Sequence, residues 1–175
     1  MGDRLVQRGQ VDYLGNRAMK PKACSTGNTD GIYEFMVEVD LGAHTWNANN
    51  NDLVKTIATI PTLSHMVEAS VFCTEANSSA AANDVDLVVS STTPAAVDDD
   101  MTVTGKLIDA MDLGSDAKGA IGAGTTASGV DCGAGTHLCL VNGGTGNGTS
   151  AITSLKLLVY IKYFGTGPAV INTTV

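Results

Sequence analysis

Apolar and polar residues alternate along residues 33–42 (YEFMVEVDLG), which is the pattern of a strand with one buried face. The odd-numbered positions, which share one parity and would point to the same face of the strand, are apolar: Tyr33, Phe35, Val37, Val39 and Leu41. The other parity is acidic apart from one methionine, and consists of Glu34, Met36, Glu38 and Asp40. The segment therefore predicts a half-buried strand with an acidic outer face.

Residues 52–77 predict two strands joined by a short corner at Pro61. The first run, LVKTIATI, is rich in β-branched residues and ends at this proline, which suits a strand terminus. The second run alternates again, with an inward parity of Val67, Ala69, Val71 and Cys73. His65 shares that parity, so we expect it at the inward edge of its strand.

Three later segments complete the expected elements. Val85, Leu87 and Val89 predict another strand with these residues inward, and KLIDAMDLG predicts either one helical turn or a short strand. Residues 114–135 are mostly Gly, Ala, Ser and Thr, which predicts a long loop. The apolar runs HLCLV and LKLLVYIKYF are separated by NGG and NG, so we expect them to form a hairpin.

The last strand is apolar on one face and mixed on the other. Its inward parity consists of Leu155, Leu157, Val159, Ile161 and Tyr163. Leu158 and Tyr160 fall on the second face between Lys156 and Lys162. Exposed apolar groups of this kind usually mark an interface, so we predict that Leu158 and Tyr160 lie at the interface of a homotrimer or another symmetric oligomer.

These elements predict an all-β fold. Seven or so short strands without helical periodicity indicate an antiparallel β-sandwich, with a jelly roll as the favoured arrangement. A chain of 175 residues suits one such domain. We place the sandwich at residues 31–164, after an extended basic N-terminal arm (residues 1–30) and before a C-terminal tail (residues 165–175).

Charge divides the chain into a basic start and an acidic body. The first 22 residues contain five basic residues and two acidic ones (5 − 2 = +3), which leaves −11 on the remainder. We predict that the arm binds an acidic surface of a partner; the alternative is a solvated chain end. Nucleic acid is a poor partner, because the acidic body repels phosphates. The basic residues of the arm are Arg4, Arg8, Arg17, Lys20 and Lys22.

Candidate chemistry is sparse. Cys132, His137 and Cys139 include ligand types for zinc but lack a CxxC pair and a fourth ligand, so we expect no metal; a Cys132–Cys139 disulfide is the alternative use of the two thiols. The triplet 98–100 (DDD) lacks the spacing of a calcium loop and predicts a solvated loop. No nucleophile, P-loop or metalloprotease motif is present, so we expect no catalytic residues, no cofactor and no enzyme activity.

The sequence also predicts where the protein resides. Its first residues lack the apolar run of a signal peptide, and the longest apolar run, LLVYI, is far too short to span a bilayer. We therefore expect no membrane partner, and a protein that is made in a cytoplasm and stays soluble or enters an assembly.

Several of these segments together carry a resemblance that covers roughly residues 52–164. The segments are the Ile60–Pro61 corner, the strand from Val71 to Ala76, the short strand Val85 to Val89 with Pro94 after it, the element Asp109 to Gly114, and the closing strand Leu155 to Tyr163. In layout they resemble the head decoration or cement proteins of tailed bacteriophages. The resemblance implies a jelly-roll-like sandwich, a location in the virion, and the shell of the major capsid protein as partner.

A carbohydrate-binding or tail-fibre (receptor-binding) module is the alternative function, because such modules use the same kind of sandwich. Trp46, in the asparagine-rich loop HTWNANNND, would be the residue that stacks on a sugar. The competing interpretation of Trp46 is a buried residue beneath that loop, since tryptophan is highly buried on average.

Overall fold

The structure, a computed structural model, describes residues 22–23, 31–42, 49–75, 84–112, 125–126, 132–143 and 154–172. These residues form ten strands and no helix, which confirms the predicted all-β class. The strands are β1 (Lys22–Ala23), β2 (Gly31–Asp40), β3 (Leu53–Thr59), β4 (His65–Glu75), β5 (Asp84–Ser90), β6 (Val103–Asp112), β7 (Thr125–Thr126), β8 (His137–Asn142), β9 (Lys156–Gly165) and β10 (Val170–Ile171).

The strands form two antiparallel sheets packed against each other, as predicted for a sandwich. The first sheet has the order β1-β2-β9-β4 and the second the order β10-β3-β8-β5-β6-β7. The seven longer strands follow the order of a jelly roll, an eight-stranded double sheet. The chain between β6 and β8, where the remaining strand of a jelly roll would belong, instead contributes β7 to the edge of the second sheet.

The core lies between the two sheets and is built from the parities that the sequence predicts for β2, β5 and β9. Tyr33 and Tyr163 stack across neighbouring strands with ring centroids 5.4 Å apart, and Phe35 meets Tyr163 edge-on. The Tyr163 hydroxyl donates a hydrogen bond to the Gly167 carbonyl at 2.8 Å, which satisfies its one polar atom and fixes the chain after β9.

The predicted parity of β4 is wrong at its start. Ala69, Val71 and Cys73 are buried as expected, but Val67 is 40% exposed and Met66 is buried in its place. The reason is a register shift between Met66 and Glu68 in the pairing of β4 with β9, which turns Val67 outward. His65, expected at the inward edge, is exposed.

The predicted hairpin between β8 and β9 is also wrong. β8 pairs with β3 and β5 in the second sheet, whereas β9 pairs with β2 and β4 in the first, so the connection crosses between sheets. The segment KLIDAMDLG is consistent in sequence with either a helical turn or a short strand. Its residues 106–112 lie in the strand β6. Within the predicted long loop 114–135, Thr125 and Thr126 form β7 against β6.

The outer face of the second sheet is covered by the connection between β5 and β6, residues 91–102. Met101 packs there in a second apolar cluster with Leu53, Val88, Cys139 and Val141. The connection is held by backbone hydrogen bonds between Leu53 and residues 98–99, at 2.8 and 2.9 Å. In the acidic triplet, residues 98 and 100 are exposed as expected, while the Asp99 carboxylate accepts the N–H groups of residues 95 and 96, both at 2.7 Å.

Candidate functional site

The outer face of the first sheet leaves more large apolar side chains exposed than that of the second sheet. Of the seven large apolar side chains that are exposed in the described residues, four lie on this face: Ile32, Val67, Phe72 and Phe164. They come from three neighbouring strands and therefore form one surface. A shared surface of this kind is the strongest candidate for an interaction site in the described chain.

The register of β2, β9 and β4 arranges the outward side chains in rows that cross the strands. In order along β2, the rows are Ile32, Phe164 and His65; Glu34, Lys162 and Glu68; Met36, Tyr160 and Ser70; Glu38, Leu158 and Phe72; and Asp40, Lys156 and Glu75. Two predominantly charged rows thus flank a predominantly apolar centre, and a further apolar row lies at one end. We call this surface the striped face, and it includes Val67, which is exposed at the register shift of β4 between the first two rows.

The striped face carries a net negative charge. Its described side chains include five carboxylates and two lysines, or 2 − 5 = −3. Lys156 Nζ lies 3.2 Å from a Glu75 carboxylate oxygen and 4.0 Å from one of Asp40, and the hydrogen bond to Glu75 is the main cause that raises the pKa of Lys156. The face therefore contains lysine–carboxylate contacts but keeps an excess of acid.

The sequence prediction for Leu158 and Tyr160 falls on the centre of the striped face. Both side chains project from β9, the middle strand of the three, and both are partly exposed. The Tyr160 hydroxyl donates to a Glu34 carboxylate oxygen at 3.3 Å, and the pKa of Tyr160 is raised by burial and then by the nearby charges of Glu34 and Glu68. Their role in an oligomer interface stays a prediction.

Two residues of the basic arm, Lys22 and Ala23, form the strand β1 at the edge of the same sheet. The backbone of β1 pairs with β2, with Lys22 opposite Glu34 and Ala23 opposite Tyr33. The other predicted arm residues, Arg4, Arg8, Arg17 and Lys20, lie outside the described residues, as do Trp46 and its loop. Of the five basic residues of the arm, the structure thus places only Lys22, beside the acidic strand of the striped face.

A buried carboxylate that the sequence reasoning missed is Asp86 in β5. Its side chain is 0% exposed, and Lys106 Nζ lies 2.6 Å from its Oδ2. Its Oδ1 accepts the N–H of Ala110 at 2.8 Å, where β6 adopts a positive φ of 56°. The signal in the sequence was an acidic residue inside an otherwise apolar run. These contacts give Asp86 a structural role, because both oxygens hold the irregular part of β6.

A shallow polar groove lies on the second sheet beside the 91–102 connection. Its larger part, about 290 Å³, is lined by Thr56, Thr59, Thr93, Pro94, His137 and Asn172. A neighbouring part of about 190 Å³ shares Thr56 and Pro94 and adds Lys55. Burial lowers the pKa of His137, so its imidazole is neutral near pH 7. The groove offers hydroxyl, amide and imidazole hydrogen bonds, and none of its described lining residues carries a carboxylate.

The three cysteines that the structure describes are buried and form no disulfide. Cys73, Cys132 and Cys139 form no disulfide, so the Cys132–Cys139 bridge considered from the sequence is absent. Burial raises the pKa of the Cys139 thiol to about 12, against a smaller opposing effect of a hydrogen bond with Thr56. Among the described residues, no three His, Cys, Asp or Glu side chains are grouped so that they could hold a metal ion.

The described part of the chain contains no helix that is long and apolar enough to cross a membrane. Comparisons of the chain with protein families, with curated proteins and with solved structures find no match.

Proposed function

We propose that the protein is a non-enzymatic structural protein of a tailed-bacteriophage virion, a decoration or cement protein that binds and stabilises the head shell. The observation that carries the proposal is the difference between the two outer faces of the sandwich. One is covered by the chain's own 91–102 connection and a second apolar cluster, and the other exposes the rows of the striped face.

The physical basis is that a surface, rather than a cavity, is the prominent chemical feature of the described residues. Apolar side chains exposed side by side lower the free energy of association when a partner covers them. Charged rows on either side oppose wrong partners and fix the register of the right one. A sheet face with both properties suits binding to a protein lattice.

Repetition strengthens such a contact. A symmetric oligomer on a symmetric shell would engage several equivalent sites at once, so modest contacts at each site combine through effective concentration. In this proposal Leu158 and Tyr160 contribute to contacts between copies or with the shell. The basic arm adds contacts to acidic groups of the major capsid protein or of a neighbouring copy.

The test uses shells of the phage that encodes the chain, prepared without this protein. We expect the purified chain to co-sediment with these shells to a saturating ratio, and Leu158→Glu to bind more weakly while it keeps the β-sheet circular dichroism spectrum of the wild type. Val97→Glu is the matched control, because Val97 is an exposed apolar residue on the 91–102 connection, over the other sheet. Failure of the wild-type chain to bind shells would refute the proposal, and equal binding of the two variants would refute the assigned face.

A carbohydrate-binding or tail-fibre module is the second candidate, and the polar groove is the observation that favours it. Its three threonine hydroxyls and the Asn172 amide are groups that hydrogen-bond sugar hydroxyls. A glycan array separates the two functions: saturable binding to one glycan class that is lost in Thr59→Val would support the module. Trp46→Ala tests the sequence-based stacking hypothesis in the same assay.

A further inference from the structure

We propose that the striped face of one copy is the docking site for the basic N-terminal segment, residues 1–21, of a second copy. The inference rests on the proposed function only in assuming that the chain works as an assembly. It adds the identity of the acceptor surface and of the segment that fills it.

Charge complementarity is the first reason. The striped face carries −3 on its described side chains. Residues 1–21 contain four basic residues against Asp3 and Asp12, or 4 − 2 = +2. A second striped face would repel the first, so face-to-face pairing of two copies is disfavoured, whereas a basic segment is attracted.

The apolar rows supply the second reason. Residues 1–21 place apolar side chains between the basic ones, namely Leu5, Val6, Val11, Tyr13, Leu14 and Met19. The striped face likewise places exposed Ile32 and Phe72 on either side of a charged row. A segment that is both basic and apolar can therefore cover apolar rows and meet carboxylates in a single extended pass, as extended peptides do on sheet surfaces.

The position and length of the segment make the contact possible. It joins the body at β1, beside the acidic strand β2 of the striped face. Its 21 residues can reach up to about 70 Å when extended. The ten residues of β9 span only about 33 Å. The segment is thus long enough to leave its own copy and cross the face of a neighbour.

The sequence just before β1 favours docking on a neighbouring copy over docking on the striped face of the same copy. Pro21 precedes Lys22 and restricts Lys20 to extended conformations. Because β1 pairs antiparallel along the edge of β2, we expect the segment to continue along that edge. Docking on the striped face of its own copy would require it to reverse against this restriction. When every copy gives one segment and receives one, closed symmetry fills all the faces.

Zero-length cross-linking of the full chain tests the inference. Equal amounts of unlabelled and ¹⁵N-labelled protein are mixed, allowed to exchange and treated with a carbodiimide, which joins a lysine amine to a carboxylate in contact with it. The protein carries Arg8→Lys, because Lys20 lies too close to β1 to leave its own copy. We expect the peptide with this substitution to be linked to the peptide of β2 that carries Glu34 and Glu38, in pairs of mixed isotope. Links found only within one isotope would mean docking in the same copy and would overturn the proposal.

Matched variants give the quantitative readout. Glu34→Gln with Glu38→Gln should weaken self-association, measured by sedimentation at low salt, by about tenfold, and added salt should weaken the wild type similarly. Asp98→Asn with Asp100→Asn removes two exposed carboxylates from the other sheet's connection and should leave self-association unchanged. Equal effects of the two pairs would refute the acceptor site. Shell binding is measured separately: shells bound without intermolecular links refute this inference alone, and intermolecular links without shell binding refute the proposed function alone.

Discussion

Lys106→Ala should destabilise the fold because it leaves the buried Asp86 carboxylate without its cation. The Asp86 side chain is fully buried, and the two charged groups lie 2.6 Å apart. Removing one partner of a buried ion pair typically costs about 3–5 kcal/mol. Lys106 is 40% exposed, so solvent screens its end of the pair and we expect a loss of about 2–3 kcal/mol in the free energy of unfolding. Urea denaturation at neutral pH measures this loss.

Two further variants isolate the cause. Lys106 also contacts Asp109, at 2.8 Å, but that carboxylate is 53% exposed, so Asp109→Asn should cost less than about 1 kcal/mol. Asp86→Asn keeps an oxygen that can accept the Ala110 N–H, so in the Lys106→Ala background it should restore about 1–2 kcal/mol. If Lys106→Ala cost no more than Asp109→Asn, Asp86 would not depend on its cation, and its assignment as a structural anchor would be wrong.

Three other predictions concern the fold. Gly135→Ala would place a Cβ 2.9 Å from the Cys132 carbonyl oxygen, so we expect it to lower the free energy of unfolding by about 1–3 kcal/mol in thermal unfolding. Gly167→Ala is the control, because its Cβ would lie 3.8 Å from the nearest atom and should change stability by less than about 0.5 kcal/mol. Met101→Ala should cost about 2–5 kcal/mol in urea if the 91–102 connection truly forms a second core, and a negligible cost would contradict that. Above the ordinary thiol pKa, the unfolded state loses the Cys139 proton, whereas the folded state keeps it up to about pH 12. The free energy of unfolding therefore falls as pH rises, by about 1.4 kcal/mol per pH unit from this group. Denaturation at several alkaline pH values should show a shallower decline for Cys139→Ala, and identical slopes would contradict the burial effect.

The strands with uninterrupted alternation could be predicted from the sequence alone. In β2 and β9 a period of two fixes which side chains meet the core, and Tyr33, Phe35 and Tyr163 lie where the pattern puts them. In β4 the same reasoning fails at Val67, because a single register shift reverses the parity and nothing in the local sequence marks it.

Properties that depend on the pairing of distant segments could not be predicted. The NGG and NG signals indicate turns, but they do not specify that β8 and β9 belong to different sheets. The burial of Asp86 depends on Lys106 in the neighbouring strand. At the candidate site, the alternation within β9 alone predicts that Leu158 lies on the outer face. Its position beside Glu38 and Phe72 in one row required the registers of three strands.

The contrast between the two outer faces gives the proposed function a directional consequence. A partner should meet the first sheet, and the 91–102 connection should remain on the far side. This orientation follows from the exposed Phe72 and Phe164 on one face and the buried Met101 on the other. It can be observed without any variant.

Electron cryo-microscopy of shells saturated with the wild-type protein shows directly whether the sandwich binds the shell and through which face. We predict ordered sandwiches at symmetry-related positions on the shell, with the striped face in contact with capsid protein or with a neighbouring copy, and the 91–102 connection directed to solvent. Bare shells, or sandwiches attached through the 91–102 connection with the striped face in solvent, would contradict it.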